Sequence, residues 1–214
     1  MCGVFRLFCE IAVLNPITMR IVIIRYNAGN IFSVQYALKR LGVNAELTDD
    51  PCRIRSADKV IFPGVGEAST TMQYLKNTGL DSVITSLEQP VLGICVGLQL
   101  LCSTSQEGNT FCLNVFEEKV TRFISGPTKE KIPHMGWNVL REMKTPLFKG
   151  LPENPFVYFV HSYRADTGPD TIARTDYAGS FSAALQKRNF YAVQFHPEKS
   201  GETGHLVLKN FLQL

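Results

Sequence analysis

Predicted strands and helices alternate along the first half of this 214-residue chain, and this alternation restricts its fold more than any other feature. Apolar runs at Met19–Ile24, Val60–Phe62 and Val91–Ile94 are each followed by a stretch with the apolar spacing of a helix. Because parallel strands need a crossover connection, such repeats predict βαβ units. We therefore expect an α/β fold with three layers, in which a mostly parallel central sheet has helices on both faces.

The second half of the chain has a different pattern. Short predicted strands separated by Gly, Pro and Asp turns follow one another between Val120 and Gln194. An amphipathic helix is predicted over His205–Leu212, with Thr203 as its candidate N-cap. We expect an antiparallel, β-rich part of the same domain, because no low-complexity linker separates the halves. Residues 1–18 precede the first convincing strand and are expected to be an N-terminal extension of unknown role, which leaves a domain of residues 19–214.

Composition excludes several classes of function. The 22 basic and 19 acidic residues are dispersed and give a net charge of +3, so no nucleic-acid partner is predicted. No apolar run reaches the roughly 18 residues of a membrane span, and Arg6 and Glu10 interrupt the apolar start where a signal peptide would lie. The cysteines form no C-x-x-C pair and no metal-type pattern with histidine, which favours a cytoplasmic protein without a metal site. We expect Cys52, Cys102 and Cys112 to be buried and reduced.

The strongest indication of chemistry is the pentapeptide GICVG at residues 93–97, between a predicted strand and a predicted helix. A G-x-C-x-G turn is the thiol form of a nucleophile elbow. Gly93 and Gly97 remove side chains where strand and helix approach each other, which lets Cys95 adopt a strained turn. The thiol then lies at the start of the helix, whose dipole favours a thiolate. Alone, the pentapeptide fits a buried structural cysteine equally well.

A cysteine nucleophile needs a base, and the candidates are His134, His161, His196 and His205. We favour His196, because it follows an apolar strand and the proline after it biases it towards an extended backbone. Residues i and i+2 of an extended segment project to one side, so Glu198 could orient the imidazole. A lone His-Pro-Glu fits a surface turn. Together with the elbow cysteine it predicts a catalytic triad.

Acyl transfer also requires backbone donors for an oxyanion. The N–H group of Val96, directly after the elbow cysteine, is one candidate. The segment PGVG at residues 63–66 could supply another through Gly64, Val65 and Gly66, because glycine lets a peptide plane reorient. By itself PGVG also fits a plain strand-to-helix turn.

The segments PGVG, GICVG and FHPE, in that order, make residues 19–214 resemble the class I (triad) glutamine amidotransferases. The resemblance implies a glutaminase in which Cys95 is the nucleophile, His196 the base and Glu198 its orienting partner, with no cofactor. It also implies a set of glutamine-binding residues, namely Gly64, Val65, Gly66, Val96, Gln99, Glu107, His161, Ser162 and Tyr163. Without the resemblance, Glu107 fits a solvated loop charge, and residues 161–163 fit a strand end.

Further segments are similar to the glutaminase subunits of imidazole glycerol phosphate synthase, an enzyme of histidine biosynthesis: YNAGN at 26–30, IPHMGWN at 132–138, YFVHSY at 158–163 and FHPEKS at 195–200. This similarity implies a heterodimer with a (βα)₈-barrel cyclase subunit, which receives ammonia that has not met solvent. The expected partner interface surrounds the mouth of the site and consists of Asn27, Asn30, Trp137, Asn138, Tyr158 and Lys199. Arg25 and Glu67 depart from the family pattern, where acidic and small residues respectively are usual.

Two alternatives remain open from the sequence. The chain could be the glutaminase of another class I amidotransferase, or a non-catalytic protein on the same fold, although all three triad positions are filled. The start Met1-Cys2-Gly3 also occurs in amidotransferases with a terminal-amine nucleophile, but nothing after it supports that fold.

Overall fold

The computed structural model describes residues 19–26, 31–64, 66–125 and 130–214, and within these ranges it contains thirteen β-strands and six α-helices. The strands are β1 (Ile21–Ile24), β2 (Glu46–Thr48), β3 (Lys59–Gly64), β4 (Val91–Cys95), β5 (Thr104–Ser105), β6 (Thr110–Phe111), β7 (Lys119–Arg122), β8 (His134–Val139), β9 (Phe156–His161), β10 (Tyr163–Ala165), β11 (Thr171–Asp176), β12 (Ser180–Lys187) and β13 (Phe190–Val193). The helices are α1 (Ile31–Arg40), α2 (Pro51–Arg55), α3 (Ala68–Thr78), α4 (Leu80–Thr85), α5 (Val96–Leu101) and α6 (Gly201–Leu212). Short 3-10 turns lie at Glu107–Asn109, Pro146–Phe148 and Pro197–Lys199.

The central sheet has seven strands in the order β11-β12-β13-β4-β3-β1-β2. Five neighbouring strands, from β13 to β2, are parallel, and β11 and β12 extend the sheet in antiparallel fashion. Helices α2 to α5 form one connected layer, since α2 contacts α4, and α3 contacts both α4 and α5. The right-handed rule for parallel crossovers puts this layer on one face of the sheet and α1 on the other. Helix α6 lies beside α1, since residues of both helices line one shallow cavity. The predicted three-layer α/β fold is confirmed.

Two smaller sheets account for the β-rich second half that the turn pattern predicted. One has four strands in the order β10-β7-β5-β6, and the other is the antiparallel ribbon β8–β9. In the four-stranded sheet only β5 and β7 run parallel. The ribbon packs over the end of the central sheet where β13 leads into the turn at Pro197–Lys199, because β9 contacts both that turn and α6.

Some sequence expectations about helices were wrong. Helices α2 and α4 were not predicted, and each has only five or six residues, too few for a clear apolar period. Thr203 is not an N-cap, because α6 begins earlier, at Gly201, directly after the turn at Pro197–Lys199. Helix α1 begins at Ile31, and the expected N-terminal extension, residues 1–18, lies outside the described residues.

The cysteines only partly follow the expectation of burial. Cys102 is fully buried and Cys112 is half-buried, but Cys52 is exposed, because it lies on the outer side of the short helix whose one buried residue is Ile54. All four cysteines of the described ranges are free thiols. None of the helices in those ranges combines the length and the apolar character needed to cross a lipid bilayer.

Glycine lets strand β3 and helix α5 approach until their backbones touch. A Cβ atom placed on Gly97 would lie 2.0 Å from the carbonyl oxygen of Phe62, and one on Gly64 would lie 2.5 Å from the Gly97 nitrogen. Real Cβ atoms essentially never come this close to backbone atoms. Both positions therefore require glycine, and the contact holds the N-terminus of α5 against the end of β3.

A buried pair of histidines fills the space between the ribbon β8–β9 and the central sheet. Nδ1 of His134 lies 3.0 Å from Nε2 of His161, and Nδ1 of His161 lies 2.7 Å from the carbonyl oxygen of Tyr163. Aromatic rings surround the pair, among them Phe123 and Phe159. These histidines are therefore part of the packed interior.

The donor and acceptor atoms in the hydrogen bonds of this pair can be assigned consistently. The Tyr163 carbonyl can only accept, so His161 carries its proton on Nδ1 and its Nε2 accepts from Nδ1–H of His134. Nε2 of His134 then accepts from the side-chain amide of Asn138 at 3.3 Å. Both imidazoles are neutral in this arrangement. Burial lowers the pKa of His134 to about 4 and that of His161 to about 3.

Replacing His134 with glutamine is expected to reduce the loss of unfolding free energy that occurs as the pH falls from 6.5 to 4.5. In the wild type the unfolded chain binds more protons than the folded chain once pH falls below the ordinary histidine pKa of about 6.5. Each buried histidine then costs on the order of 2–3 kcal/mol of unfolding free energy between pH 6.5 and 4.5. H134Q should lose one such contribution, although its unfolding free energy at pH 7 is lower because buried hydrogen bonds are lost.

Urea unfolding at several pH values between 4.5 and 7 measures this effect. The matched control is H205Q, which changes a half-exposed histidine on α6 and leaves the contribution of the buried pair in place. A slope in H134Q as steep as that of the wild type would contradict the neutral buried pair.

Candidate active site

Cys95 lies at the junction of β4 and α5 in a strained backbone conformation. Its φ is +55° and its ψ −110°, a region that side chains other than glycine rarely adopt. The residue is 4% exposed, and its thiol opens into a cavity. The predicted turn of a nucleophile elbow is confirmed in its backbone geometry.

His196 and Glu198 form a buried pair just beyond the end of β13. Nδ1 of His196 lies 2.8 Å from Oε1 of Glu198, and the two side chains are 4% and 2% exposed. His196 has the predicted extended backbone, but Glu198 lies in the 3-10 turn at Pro197–Lys199, so this turn and not the alternation of a strand brings the carboxylate to the imidazole. Since the carboxylate accepts the Nδ1 proton, Nε2 is left to face Cys95. Nε2 is buried and has no hydrogen-bond partner among the described residues, Cys95 included, so it is free to exchange a proton with the thiol.

The surroundings of His196 favour its protonated form. Burial alone would lower its pKa, but interactions with the Cys95 sulfur and the Glu198 carboxylate outweigh burial and raise the pKa to about 10. An imidazolium in this position is held between two groups that can carry negative charge. The arrangement is suited to taking a proton from the thiol and keeping it available for a leaving group.

A cavity of about 380 Å³ opens above the thiol. Ten of the residues selected from the sequence line it: Gly66, Cys95, Val96, Gln99, Glu107, His161, Ser162, Tyr163, His196 and Lys199. Glu198 lies behind His196 and does not reach the cavity. Pro133 and Val160, which the sequence did not single out, complete the wall.

The end of strand β3 forms one side of the elbow. Gly64 pairs with Cys95 in the parallel register of β3 and β4. The hydroxyl of the buried Tyr26 donates to the Pro63 carbonyl at 2.5 Å, and burial raises the pKa of this phenol, with a smaller contribution from Cys95. Val65, the predicted second oxyanion donor, lies outside the described residues.

Glu107 is not a solvated loop charge. Its Oε2 accepts from the backbone N–H of Ala68 at 2.8 Å, at the start of α3, and the side chain borders the cavity. Burial raises the pKa of this carboxyl, the bond from Ala68 opposes the rise, and the charge of Glu67 adds to it. Glu67 itself serves as the N-cap of α3.

Gln99 projects from α5 towards the strand that carries Tyr163. Its Nε2 donates to the Tyr163 carbonyl at 2.9 Å and to Oε1 of Gln194 at 3.0 Å. The Tyr163 carbonyl therefore already accepts two hydrogen bonds, one from Gln99 and one from His161. Both acceptor positions of this carbonyl are therefore occupied by groups of the protein, whereas the side of Gln99 that faces the cavity stays open to a ligand.

The sequence reasoning missed Gln194, which is fully buried and directs Nε2 to the Cys95 sulfur at 3.8 Å. One signal could have identified it, because Gln194 is two residues before His196 at the end of a strand and so projects to the same side. His134 was weighed only as a possible base. Its contribution depends on the pairing of β8 with β9, which sequence spacing does not specify.

The ribbon β8–β9 presents apolar side chains outwards beside the cavity. Trp137 is 56% exposed and lies edge-on to the Tyr158 ring with centroids 6.0 Å apart, so this tryptophan is not a core residue. Lys199 Nζ lies 6.0 Å from the centre of the same Tyr158 ring. The exposed Met135 and Phe156 extend the patch along the ribbon.

Of the other expected interface residues, Asn138 lies in the described part of the chain. Asn138 lies on the same ribbon, and its amide also donates to the Asp176 carbonyl at 3.1 Å. Asn27 and Asn30 lie outside the described residues. Arg25, which departs from the family pattern, forms an exposed ion pair with Asp49 at 2.9 Å.

Comparison with solved structures supports the fold. A putative GMP synthase protein from Thermoplasma acidophilum aligns with a TM-score of 0.68 and 23% identity, covering 91% of this chain and 93% of its own. The structure of PurLQS from Thermotoga maritima aligns with a TM-score of 0.69 and 18% identity, covering 92% and 98%. At these identities the likeness concerns the fold alone.

Sequence comparison is more specific. The profile of the glutamine amidotransferase class-I family matches residues 20–214. An imidazole glycerol phosphate synthase subunit HisH from Bacteroides fragilis is 58% identical over 92% of this chain and 100% of its own length. The subunit of the same name from Haemophilus influenzae is 46% identical over 91% and 98%. The chain therefore belongs to the class I glutamine amidotransferase family, in the group formed by the HisH subunits of imidazole glycerol phosphate synthase.

Proposed function

We propose that this chain is the glutaminase subunit of an imidazole glycerol phosphate synthase, which hydrolyses glutamine to glutamate and passes the ammonia to a cyclase subunit. The observation that carries the proposal is the position of Cys95, at a strained elbow facing a His196–Glu198 pair whose Nδ1–Oε1 distance is 2.8 Å. The 58% identity to a HisH subunit supports a role for this chemistry in histidine biosynthesis.

In the proposed mechanism Cys95 gives its proton to His196 and attacks the side-chain carbonyl of glutamine. An S–C bond forms, and the resulting oxyanion is held by the N–H of Val96 and by a donor from the segment at residues 64–66. Protonated His196 then gives its proton to the departing nitrogen, the C–N bond breaks, and ammonia leaves a thioester on Cys95.

A water molecule completes the cycle. Its proton goes to His196 while its oxygen attacks the thioester, and the S–C bond breaks to release glutamate. The sulfur leaves as a thiolate and recovers its proton from His196. Glu198 keeps the imidazole oriented in both halves of the reaction and stabilises its positive charge.

The substrate would lie in the cavity between α5 and the segment at residues 161–163. We assign the open side of Gln99 and the carboxylate of Glu107 to the end of glutamine that carries its α-amino and α-carboxylate groups, since both residues border the cavity. His161, Ser162 and Tyr163 form the opposite wall and would enclose the α-carboxylate with backbone groups. Gly64, Val65 and Gly66 would lie over the reacting carbonyl.

For the partner, we propose a (βα)₈-barrel cyclase subunit that docks on the outer face of the ribbon β8–β9. Exposed apolar patches of this kind mark interaction sites, and this patch adjoins the mouth of the cavity, where ammonia would leave. Trp137, Tyr158 and Lys199 are its proposed contact residues, whereas Asn138 is included on resemblance, because its amide is directed inwards to His134. Asn27 and Asn30 belong to the same proposal on resemblance alone.

Low activity without the partner would follow from an incomplete oxyanion hole. A peptide flip at residues 64–65 would complete it, and loss of one oxyanion donor costs on the order of 10² to 10³ in rate. The hydrogen bond from Tyr26 to the Pro63 carbonyl supports a flip that begins after Pro63. We also propose a cytoplasmic location, since a thiol nucleophile needs reducing surroundings and the described cysteines are free.

Substitution of the proposed triad should abolish stimulated glutamate release. Glutamate is measured for the purified chain alone and with a cyclase subunit plus its ribulosyl ligand. C95S should be inactive, and E198Q should lose about 10³-fold or more in kcat, because the imidazole loses its orientation and charge partner. C52S, a substitution of the exposed cysteine, is the control and should behave as the wild type.

Either of two results would contradict this assignment. Glutamate release by C95S at the wild-type rate would exclude Cys95 as the nucleophile. A wild type that releases glutamate but does not respond to a functional cyclase would point to another class I amidotransferase.

Replacing Trp137 with alanine is expected to weaken cyclase binding about 30-fold or more, as for a large aromatic residue central to an interface. Isothermal titration calorimetry with the cyclase subunit measures the change. F111A removes another exposed aromatic side chain, on the separate strand β6, and should bind as the wild type. Equal affinity of W137A and the wild type would exclude the ribbon as the docking surface.

A further inference from the structure

A buried amide beside the nucleophile has no part in the mechanism described so far. The Gln194 side chain is fully buried, and its Nε2 lies 3.8 Å from the Cys95 sulfur. Buried amide groups are nearly always hydrogen-bonded, because an unmet one is costly. Here the acceptor of the N–H group is the sulfur of the proposed nucleophile.

The sheet register accounts for this position. Strands β13 and β4 are parallel, and their last pair is Val193 with Ile94, so the next residue on each side brings Gln194 level with Cys95. Backbone N–H of Gln194 donates to the Ala183 carbonyl at 2.8 Å, which continues the sheet through this residue. The sulfur therefore has Gln194 beside it across the sheet, in addition to His196.

A backbone carbonyl determines which end of the Gln194 amide faces the sulfur. The Tyr163 carbonyl can only accept, so the atom of Gln99 that lies 2.9 Å from it is the nitrogen. The same Gln99 nitrogen lies 3.0 Å from the Gln194 amide and has a second hydrogen to donate, which makes the Gln194 atom facing it the oxygen. The amide nitrogen of Gln194 is then the atom directed at Cys95.

The Tyr163 carbonyl is itself held in place. It also accepts Nδ1–H of His161 at 2.7 Å, and His161 is fixed by His134. Each of these hydrogen bonds has one direction, and together they fix the orientation of the Gln194 amide. The N–H donor at the sulfur is preorganised and needs no rearrangement during the reaction.

We propose that Gln194 is a further catalytic residue, whose side-chain N–H donates to the Cys95 sulfur and stabilises its thiolate. The proposal rests on the assignment of Cys95 as the nucleophile. A hydrogen bond to a charged acceptor is about twice as strong as one between neutral groups, so this contact strengthens when the thiol loses its proton to His196. The same contact stabilises the sulfur when it leaves the thioester as a thiolate.

Gln194 acts on the sulfur and not on the substrate. It is completely buried and does not line the cavity, unlike Gln99. Its loss should therefore lower kcat and leave KM within about twofold of the wild type, since KM is unchanged when an interaction serves only the reacting atoms. A residue that merely packs the core would not affect thiol reactivity in this way.

The test measures alkylation of Cys95 by iodoacetamide across pH 5–10, with C95A as the blank. Q194M retains the approximate shape of the side chain without a donor. We expect its alkylation rate at pH 7 to fall about tenfold, as for the loss of one hydrogen bond to a charged group, and its rate–pH curve to move to higher pH. Q186M, which changes a half-buried glutamine on β12, is the matched control and should alkylate as the wild type.

A second variant and a measurement on the wild type distinguish the role of Gln194 from an effect of misfolding in Q194M. Q194E keeps the oxygen that accepts from Gln99 but directs a carboxylate oxygen at the sulfur, so its rate should fall further than that of Q194M. In the unaltered protein the Gln194 amide proton should move downfield in NMR spectra as the thiolate forms, and this shift should be absent in C95S. Two results would overturn the proposal: folded variants whose alkylation curves equal that of the wild type, or a Gln194 amide-proton chemical shift that does not change when the thiolate forms.

The two proposals fail in different ways. Alkylation of Cys95 needs neither glutamine nor a partner, so it reports on Gln194 even if the chain proves not to release glutamate. Loss of glutamate release in the wild type would overturn the proposed function. An unchanged alkylation curve in Q194M beside normal wild-type activity would overturn the role of Gln194 alone.

Discussion

The contact between Gly97 and the Phe62 carbonyl is the constraint on which the site depends. A Cβ at Gly97 would lie 2.0 Å from that oxygen, so only glycine lets α5 start against the end of β3. This approach holds Cys95 at φ +55°, a conformation that costs of order 1–3 kcal/mol and persists only where the surroundings impose it. The strain directs the thiol into the cavity instead of the sheet. The elbow at Cys95 and the end of β3 at Gly64 are held together by this contact.

Hydrogen bonds of fixed direction extend this constraint around the sulfur. On one side, Glu198 holds the His196 imidazole so that Nε2 faces the thiol. On the other, the Tyr163 carbonyl sets the orientation of Gln99 and, through it, of Gln194. The interior groups that orient the site are neutral, whereas the charge is confined to the sulfur, the imidazole and its carboxylate. A proton can thus move between Cys95 and His196 without rearrangement of the surrounding groups.

Sequence reasoning was most successful where local pattern determines structure. The strand–helix alternation predicted the parallel sheet, and the two glycines predicted the strained turn at Cys95, because both depend on neighbours in the chain. The pairing of Glu198 with His196 was predicted correctly, but from an extended segment, whereas a 3-10 turn at Pro197–Lys199 brings the two side chains together. Contacts between distant segments were not accessible in this way. The polar network at Gln194 joins four separate parts of the chain, and the exposure of Trp137 depends on which face of the ribbon β8–β9 packs inwards.

The central claim, that Cys95 is the one thiol prepared for attack on glutamine, is tested most directly by labelling with a glutamine-mimicking electrophile. The protein is treated in the presence of the cyclase subunit with its ligand, and the modified residue is identified by peptide mass spectrometry. The account predicts a single adduct on Cys95 that excess glutamine prevents, although Cys52 is far more exposed. A label on Cys52 or Cys112 in place of Cys95, or labelling that glutamine does not prevent, would contradict it.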